Sequence, residues 1–598
     1  GRNMNTGSNN VVVGKDAGVD MTDDTDNVVI GYRAGNALTD SSNVIIGSDA
    51  ARVGTTHTEN VIIGYSAAGS GNLTGDSNVI IGKAAGQLMT SGPHNVLIGK
   101  QAGAKITEGD KNVIVGSQAG AELTGDGGDF NTLIGYAAGN ALTAAQANIF
   151  IGHESGDGHD TESNNLGIGR GALGGSIAGG EFNVAVGNYT LDALTSGDNN
   201  VAIGYNAGQA QTTAGANVLI GEGAGQALTT GGANVIIGKG AARSGTLTGD
   251  TNVYVGGEAG AFNSSGSSNI GIGYAALDGF DTESNNLAIG RDALGGAVAG
   301  GEYNVAIGNY SLDALTSADN TVAVGYNAGT ALTVGADNTF IGAYAGAATV
   351  DGASNTCVGN GAGQLGNMTN GHNTLIGYVS GQDLAAGQKN VFVGEASGKE
   401  TTSGSGNTLL GFEAGLAVTT GGSLVCVGHE AGDNLTEGGN SIMIGDATDA
   451  SGATVSNEIV IGYNSDGKGA NTGFINPNGG GVYQGNNSTT WSQTSDERIK
   501  KNIVNNNIGL EKIDQIQVRN FEYRTLEEVT DFDNAKSCYV NKSGTQLGVV
   551  AQEIETILPE IVKTESTGVK SIETDNLLWY LINAVKELSA EIKALKGE

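Results

Sequence analysis

The phrase Asn-Val-x-Ile-Gly recurs from Asn10-Val11-Val12-Val13-Gly14 to Ile459-Val460-Ile461-Gly462, and no other feature limits the fold as tightly. Its closing glycines number 27, beginning Gly14, Gly31, Gly47 and ending Gly428, Gly445, Gly462, and 19 of the 26 intervals are 17 residues. A period that regular means one structural unit per repeat, stacked on the next. Fuller copies read Asn-Val-x-Ile-Gly-x-x-Ala-Gly-x-x-Leu-Thr-x-Gly, as from Asn112 to Gly125 and from Asn217 to Leu228. β-formers followed by Ala-Gly, Leu-Thr and a Gly/Asp turn predict two short strands joined by tight turns. Seventeen residues are too few for a strand and a full crossover helix. The expected fold is mainly β: a parallel β-solenoid, or β-roll, of about 27 coils. Stacked at about 4.8 Å per coil, it would rise by roughly 125 Å.

Composition agrees with a chain made of turns. Glycine is 103 of 598 residues and aromatics are 5%, while 3 prolines without a Gly-X-Y period exclude collagen. An evenly spread 38% of apolar residues argues against disorder.

The middle strand position bears on assembly. Val and Ile of Asn-Val-x-Ile share one face of a strand and x takes the other. A solitary solenoid with x outside would carry polar residues there, yet x is Val12, Val29, Ile45, Ile62, Ile80, Leu97, Ile114, Leu133, Phe150, Phe340, Leu375, Phe392 and Leu409. The expectation is that x points outward and packs against the same stripe of other chains, in a homotrimer. Cys357 and Cys426 share this position four coils apart, beyond disulfide reach, and read as buried thiols. Over the short period lies a longer one, because Thr161-Glu162-Ser163-Asn164-Asn165-Leu166 returns 121 residues later as Thr282-Glu283-Ser284-Asn285-Asn286-Leu287.

Phrases such as Asn200-Val201-Ala202-Ile203-Gly204-Tyr205-Asn206-Ala207-Gly208 resemble the head repeats of trimeric autotransporter adhesins. The resemblance implies a trimeric parallel β-roll. The period here is longer, the extra residues falling in the Leu-Thr-x-Gly loop.

The formal charge is -34, which would repel a phosphate backbone and makes nucleic acid an unexpected partner. Acidic residues crowd the turns, as at Asp20 to Asp26, but the Gly-Gly-x-Gly-x-Asp pattern of calcium-binding rolls is absent. Neither a metal nor a cofactor is expected. The histidines, among them His57, His94, His153 and His159, lack ligand spacing and are expected at the surface. Tyrosine follows the closing glycine at Tyr32, Tyr65, Tyr136, Tyr205, Tyr274, Tyr326, Tyr378 and Tyr463, a ladder that covers the strand edge or stacks on sugar rings. No apolar run is long enough to span a membrane.

After Gly462 the period fails. Residues 463–494 read as a neck or small β cap, and the Gly479-Gly480-Gly481 run and Pro477 exclude a regular helix. From Ser495 the composition changes, from 15 basic and 44 acidic residues in the first 494 to 13 and 18 in the last 104. Three domains are expected: shaft 1–462, neck 463–494 and a terminal α+β domain 495–598.

That last domain opens with Ser495-Asp496-Glu497-Arg498-Ile499-Lys500-Lys501-Asn502-Ile503 and continues through Leu510-Glu511-Lys512-Ile513 and Val518-Arg519-Asn520-Phe521-Glu522-Tyr523. Leu547-Gly548-Val549-Val550-Ala551-Gln552-Glu553-Ile554 and Leu558-Pro559-Glu560-Ile561-Val562 follow. In this order the segments resemble the C-terminal intramolecular chaperone of phage endosialidases and many tail fibres. The resemblance implies a domain that trimerises, guides folding of the fibre and cuts itself off between Thr494 and Ser495. It also implies Ser495 and Lys500 as the Ser-Lys pair, with Lys501 the competing base. Independently, Leu578, Leu581, Val585, Leu588, Ile592 and Leu595 alternate steps of three and four, a coiled-coil seam in a helix expected over 574–596.

With these resemblances, the expectation is a homotrimeric host-attachment fibre of a phage virion, made in the host cytoplasm. Its expected partners are itself, a glycan or protein receptor on the host, and a virion tail or baseplate reached through a region upstream of Gly1. A bacterial surface adhesin and a glycan depolymerase are the alternatives.

Overall fold

The computed structural model describes residues 2–124, 128–176, 179–296, 300–477, 481–485, 492–493, 495–532 and 535–597. It divides into two units, Gly1–Gln493 and Thr494–Glu598.

In the first unit each coil carries one three-residue strand, from β1 (Val11–Val13) to β26 (Ile442–Ile444). After the short β27 (Thr448–Asp449), β28 (Ile459–Gly462) adds the strand of the last glycine-closed coil. Successive strands pair in parallel and in register, for example Val218 with Val235, Leu219 with Ile236 and Ile220 with Ile237. The result is a parallel β-solenoid of about 27 turns, as the period requires. The closing glycine holds a backbone that other residues avoid: Gly99 has φ +141, and a Cβ there would lie 2.3 Å from the Gly116 carbonyl oxygen.

The Leu-Thr half of the coil is not the second strand that its β-formers suggest. Left-handed residues bend the chain two and four places after the closing glycine, as at Gln101 (φ 61) and Gly103 (φ 55). Turns joined from coil to coil replace it, with Gln101 donating to the Lys83 carbonyl at 2.9 Å and Gly103 to that of Ala119 at 2.9 Å. Among the described residues a second strand forms only near the end, where β27 pairs with β29 (Ser465–Asp466).

Position x also faces the opposite way from the expectation. Ile45, Leu97, Ile114, Phe150 and Phe392 are fully buried inside the coil, against the Ala of Ala-Gly and the Leu of Leu-Thr. Leu97, Ala102 and Ile106 make one such interior layer. The outward stripe consists instead of the flanking residues, with Ile149 40% and Ile203 39% exposed. A coil this narrow has one strand residue to spare for its interior, so the central one turns in and its two neighbours turn out. Each buried Ile or Leu contributes about 1.5–3 kcal/mol.

The asparagine that opens each phrase has a structural reason. Its side chain is buried beside the core, and its Oδ1 accepts the backbone N–H of the next asparagine in the column. Asn27 accepts from Asn43 at 2.8 Å, Asn78 from Asn95 at 2.8 Å and Asn217 from Asn234 at 2.8 Å. Its Nδ2 donates to a carbonyl one coil on, as Asn95 does to Gly109 at 2.9 Å.

Two histidines expected at the surface lie in the interior. His159 takes the place of the Leu of Leu-Thr, packs on Phe150 at 4.9 Å between ring centroids, and has no partner at hydrogen-bond geometry for either ring nitrogen. His57 is held between Asn43 and Asn60. Burial pushes the His57 imidazole down to about 4 and that of His159 to about 3, offset for His159 only in part by the Leu173 backbone. A ring tucked into an apolar slot carries no signature in residue spacing. Cys357 and Cys426 are buried as expected, and burial pushes the Cys426 thiol up to about 12.

Beyond β28 the stack adds β30 (Gly473–Asn476) in parallel, then turns antiparallel through β31 (Val482–Gln484) and β32 (Ser492–Gln493). Of the neck residues, Gly479, Gly480 and Trp491 lie outside the described residues.

The second unit is small. β33 (Arg519–Phe521) pairs antiparallel with β34 (Gln546–Gly548), and β35 (Val562–Thr564) with β36 (Lys570–Ile572). Helices α1 (Leu510–Ile513), α2 (Ala535–Cys538), α3 (Ala551–Ile557) and α4 (Thr574–Lys596) complete it. Its core is Ile554, Leu558 and Ile561, packed by Ile516, Val549, Ile572, Leu577 and Tyr580.

Replacing Asn217 by Ala removes the acceptor of the Asn234 amide. An unsatisfied buried N–H costs about 1–3 kcal/mol, so native-state exchange of that amide should accelerate at least fivefold. Exchange at the wild-type rate would contradict the column's role. For His159, the unfolded ring binds a proton near 6.5 and the folded ring only near 3. Its burial therefore costs nothing above the unfolded value, and stability falls through that window as pH drops, by about 1.4 kcal/mol per unit. His159→Phe, copying Phe280 of the duplicated block, should reduce the loss of melting temperature between pH 7 and pH 4. Equal losses in variant and wild type would show that the ring is not the sensitive group.

Candidate functional site

At the head of the second unit one short turn sets the geometry. Glu497–Ile499 form a single 3-10 turn whose N-cap, Asp496, accepts the Arg498 backbone N–H at 2.8 Å. The Arg498 guanidinium folds back on the same carboxylate, Nε at 3.0 Å from Oδ1 and Nη2 at 2.6 Å from Oδ2. This contact holds the Asp496 carboxyl below its usual range and raises the arginine. The turn returns the chain so that Lys500 Nζ donates to Ser495 Oγ at 2.6 Å.

The predicted pair Ser495 and Lys500 is thus in direct contact, and the lysine at the hydroxyl is Lys500 rather than Lys501. Thr494, the other side of the predicted cleavage point, lies outside the described residues. The pair is exposed in the single chain. An amine this close to a hydroxyl is placed to take its proton when neutral, and burial is what favours a neutral lysine.

Helix α4 has two apolar faces. Leu577 and Tyr580 pack on the unit's own core and Ala584 is buried. The predicted seam is largely exposed, with Leu578 53%, Leu581 47%, Val585 59%, Leu588 46%, Ile592 42% and Leu595 87% exposed, and its first two leucines line an apolar groove with Ile513, Ile516 and Val518. Two polar residues off that seam fasten the helix. Glu587 accepts the Leu510 backbone N–H at 2.7 Å, and Asn583 Nδ2 donates to the Asn506 carbonyl at 2.8 Å. Their i, i+4 spacing on one helix side was the available signal.

On the solenoid the tyrosine ladder is at the surface. Tyr32, Tyr65, Tyr205 and Tyr378 are each about half exposed. Several meet cations or rings, as Tyr32 does the adjacent Arg33 at 4.6 Å and Tyr136 does His153 of the next coil at 5.1 Å. Asp157 and Asp192 stand over Gly174, and their counterparts in the duplicated block, Asp278 and Asp313, over Gly295. Burial and neighbouring carboxylates push Asp278 up to about 6, and burial with Asp433 pushes Asp449 up to about 7. No group of three or more His, Cys, Asp or Glu side chains that could hold a metal ion occurs among the described residues. No helix among them is long and apolar enough to cross a membrane.

Residues 495–563 match the family model described as chaperone of endosialidase. The match begins on the serine of the pair and ends within β35, before α4. A β-solenoid and the short strands that end it are therefore followed in the chain by a region similar to the endosialidase chaperones. No curated protein and no solved structure matches the chain.

Proposed function

We propose that this chain is a homotrimeric, host-attachment fibre of a phage virion, folded by its own C-terminal domain, which then releases itself by cleavage before Ser495. One observation carries the reading: the chaperone match starts at the residue whose hydroxyl contacts Lys500, immediately after a long solenoid. The fibre would be made in the host cytoplasm and mounted on the virion through its other end.

Two free apolar surfaces support self-association. The outward strand residues form a face about 125 Å long and about 7 Å wide, on the order of 900 Å². That is about what one partner contributes to a stable protein interface. The outward seam of α4 is a second such surface, and fewer than three heptads would not hold a coiled coil without the domain that carries it.

The chemistry follows from the order of the chain. Lys500 takes the Ser495 hydroxyl proton while Oγ adds to the carbonyl carbon of Thr494, the residue just before it. The C–N bond breaks, the lysine returns the proton to the departing Ser495 amine, and Thr494 is left as an ester on the serine. Water hydrolyses that ester, giving a Thr494 carboxylate and restoring the hydroxyl.

Expression of the whole chain should yield a released fragment of 104 residues, Ser495 to Glu598, on a denaturing gel. Ser495→Ala and Lys500→Ala should stay at full length, and Lys501→Ala should be processed. A wild-type chain that remains intact, or a Ser495→Ala chain that is cut, would overturn the processing step.

A further inference from the structure

The second residue after the closing glycine normally carries a side chain in the left-handed conformation, as at Gln101 (φ 61), Asn206 (φ 57) and Glu258 (φ 59). Two successive coils lack it, at Gly223 (φ 65) and Gly240 (φ 66). At Gly223 the space stays open, where a Cβ would meet only Gln226 Oε1, at 3.4 Å, while at Gly240 the Arg243 side chain comes within 3.2 Å of the Cβ position. The two missing side chains leave a trough of about 100 Å³ in the turns that follow the strands.

The walls of this trough differ in character. Tyr205 stands at one end, half exposed, its ring set edge-on against Tyr189 at 6.3 Å between centroids. Beside it stands Asn206, whose Oδ1 is turned in from the surface. Glu222 and Lys239 flank one side and pair at 3.1 Å. Gln226 and Arg243 flank the other, with Gln226 Nε2 anchored on Gln209 at 3.1 Å and Arg243 facing Glu258 at 3.7 Å.

We infer that this trough binds a single unit of a neutral saccharide chain on the host surface; the inference rests on the attachment-fibre reading and gives it a location. An exposed phenol ring offers a flat apolar surface to the C–H face of a pyranose. Around it Glu222 and the Gln226 oxygen can accept while Lys239 and Arg243 can donate, and vicinal hydroxyls use both senses, since each hydroxyl both donates and accepts. Neutrality follows from the charges. Each cation in the trough already faces a carboxylate, and the first 494 residues hold 15 basic against 44 acidic side chains. An anionic polymer would find no spare positive charge and a repelling surface.

The test uses the full chain and saturation-transfer NMR with tetrasaccharides of glucose, galactose, mannose and N-acetylglucosamine, against an oligomer of galacturonic acid. At least one neutral probe should bind. Gly223→Asn restores the residue type of the neighbouring Asn206, so it fills the trough without departing from the repeat, and it should abolish the signal. Tyr205→Ala should weaken binding at least tenfold. Tyr378→Ala, at the same repeat position in a remote coil, should leave binding unchanged. The inference is overturned if no neutral probe binds, if the acidic oligomer is preferred, or if Gly223→Asn binds like the wild type. Absent binding by a wild-type chain that is still cut before Ser495 refutes the trough alone, whereas failure of that cut overturns the processing step of the fibre reading.

Discussion

The asparagine column is the interaction on which the stack depends. A three-residue strand offers few ladder bonds, and a coil three side chains deep has little core of its own. Each asparagine satisfies the N–H of the next coil and spends its own Nδ2 on a carbonyl there, so neither coil is complete without the other in one exact register. Where the residue type changes, the bond is kept on the receiving side. Thr321 donates to Asn304 at 3.0 Å and Leu424 to Asn407 at 2.9 Å. At the end Glu458 donates to Ser441, while its buried carboxylate accepts from Ser451 and Gly469.

Regularity of this kind secures each chain and leaves the relation between chains undetermined. A partner displaced by one coil would present almost the same outward Val and Ile side chains. Only the irregular intervals, such as 16 residues from Gly31 to Gly47 and 19 from Gly116 to Gly135, and the block copied after 121 residues would penalise the slip. Association of long parallel faces is slow and exposes apolar surface while it proceeds. On the proposed reading, a separate domain that assembles first would set one starting register, and once the shaft had formed that domain would have no further part in holding it.

Much of this was legible in the sequence because spacing maps directly onto geometry. The period fixed the coil, and the buried Ala and Leu of each repeat follow from it. The step of five from Ser495 to Lys500 becomes a contact because Asp496 caps the turn between them. Parity along a strand is also legible, but direction is not: alternation separates x from its neighbours without saying which side is inside, and the apolar flanks made both answers look alike. His57 and His159 were missed because a neutral ring fits an interior slot that spacing alone assigns to leucine or glycine. The trough at Gly223 and Gly240 was hidden for the opposite reason, since two more glycines are inconspicuous among 103.

Native mass spectrometry of the purified product joins the two halves of the account in one reading. The predicted species is three copies of residues 1–494, with residues 495–598 absent from the complex. A monomer, or a complex whose chains all retain residues 495–598, would contradict it.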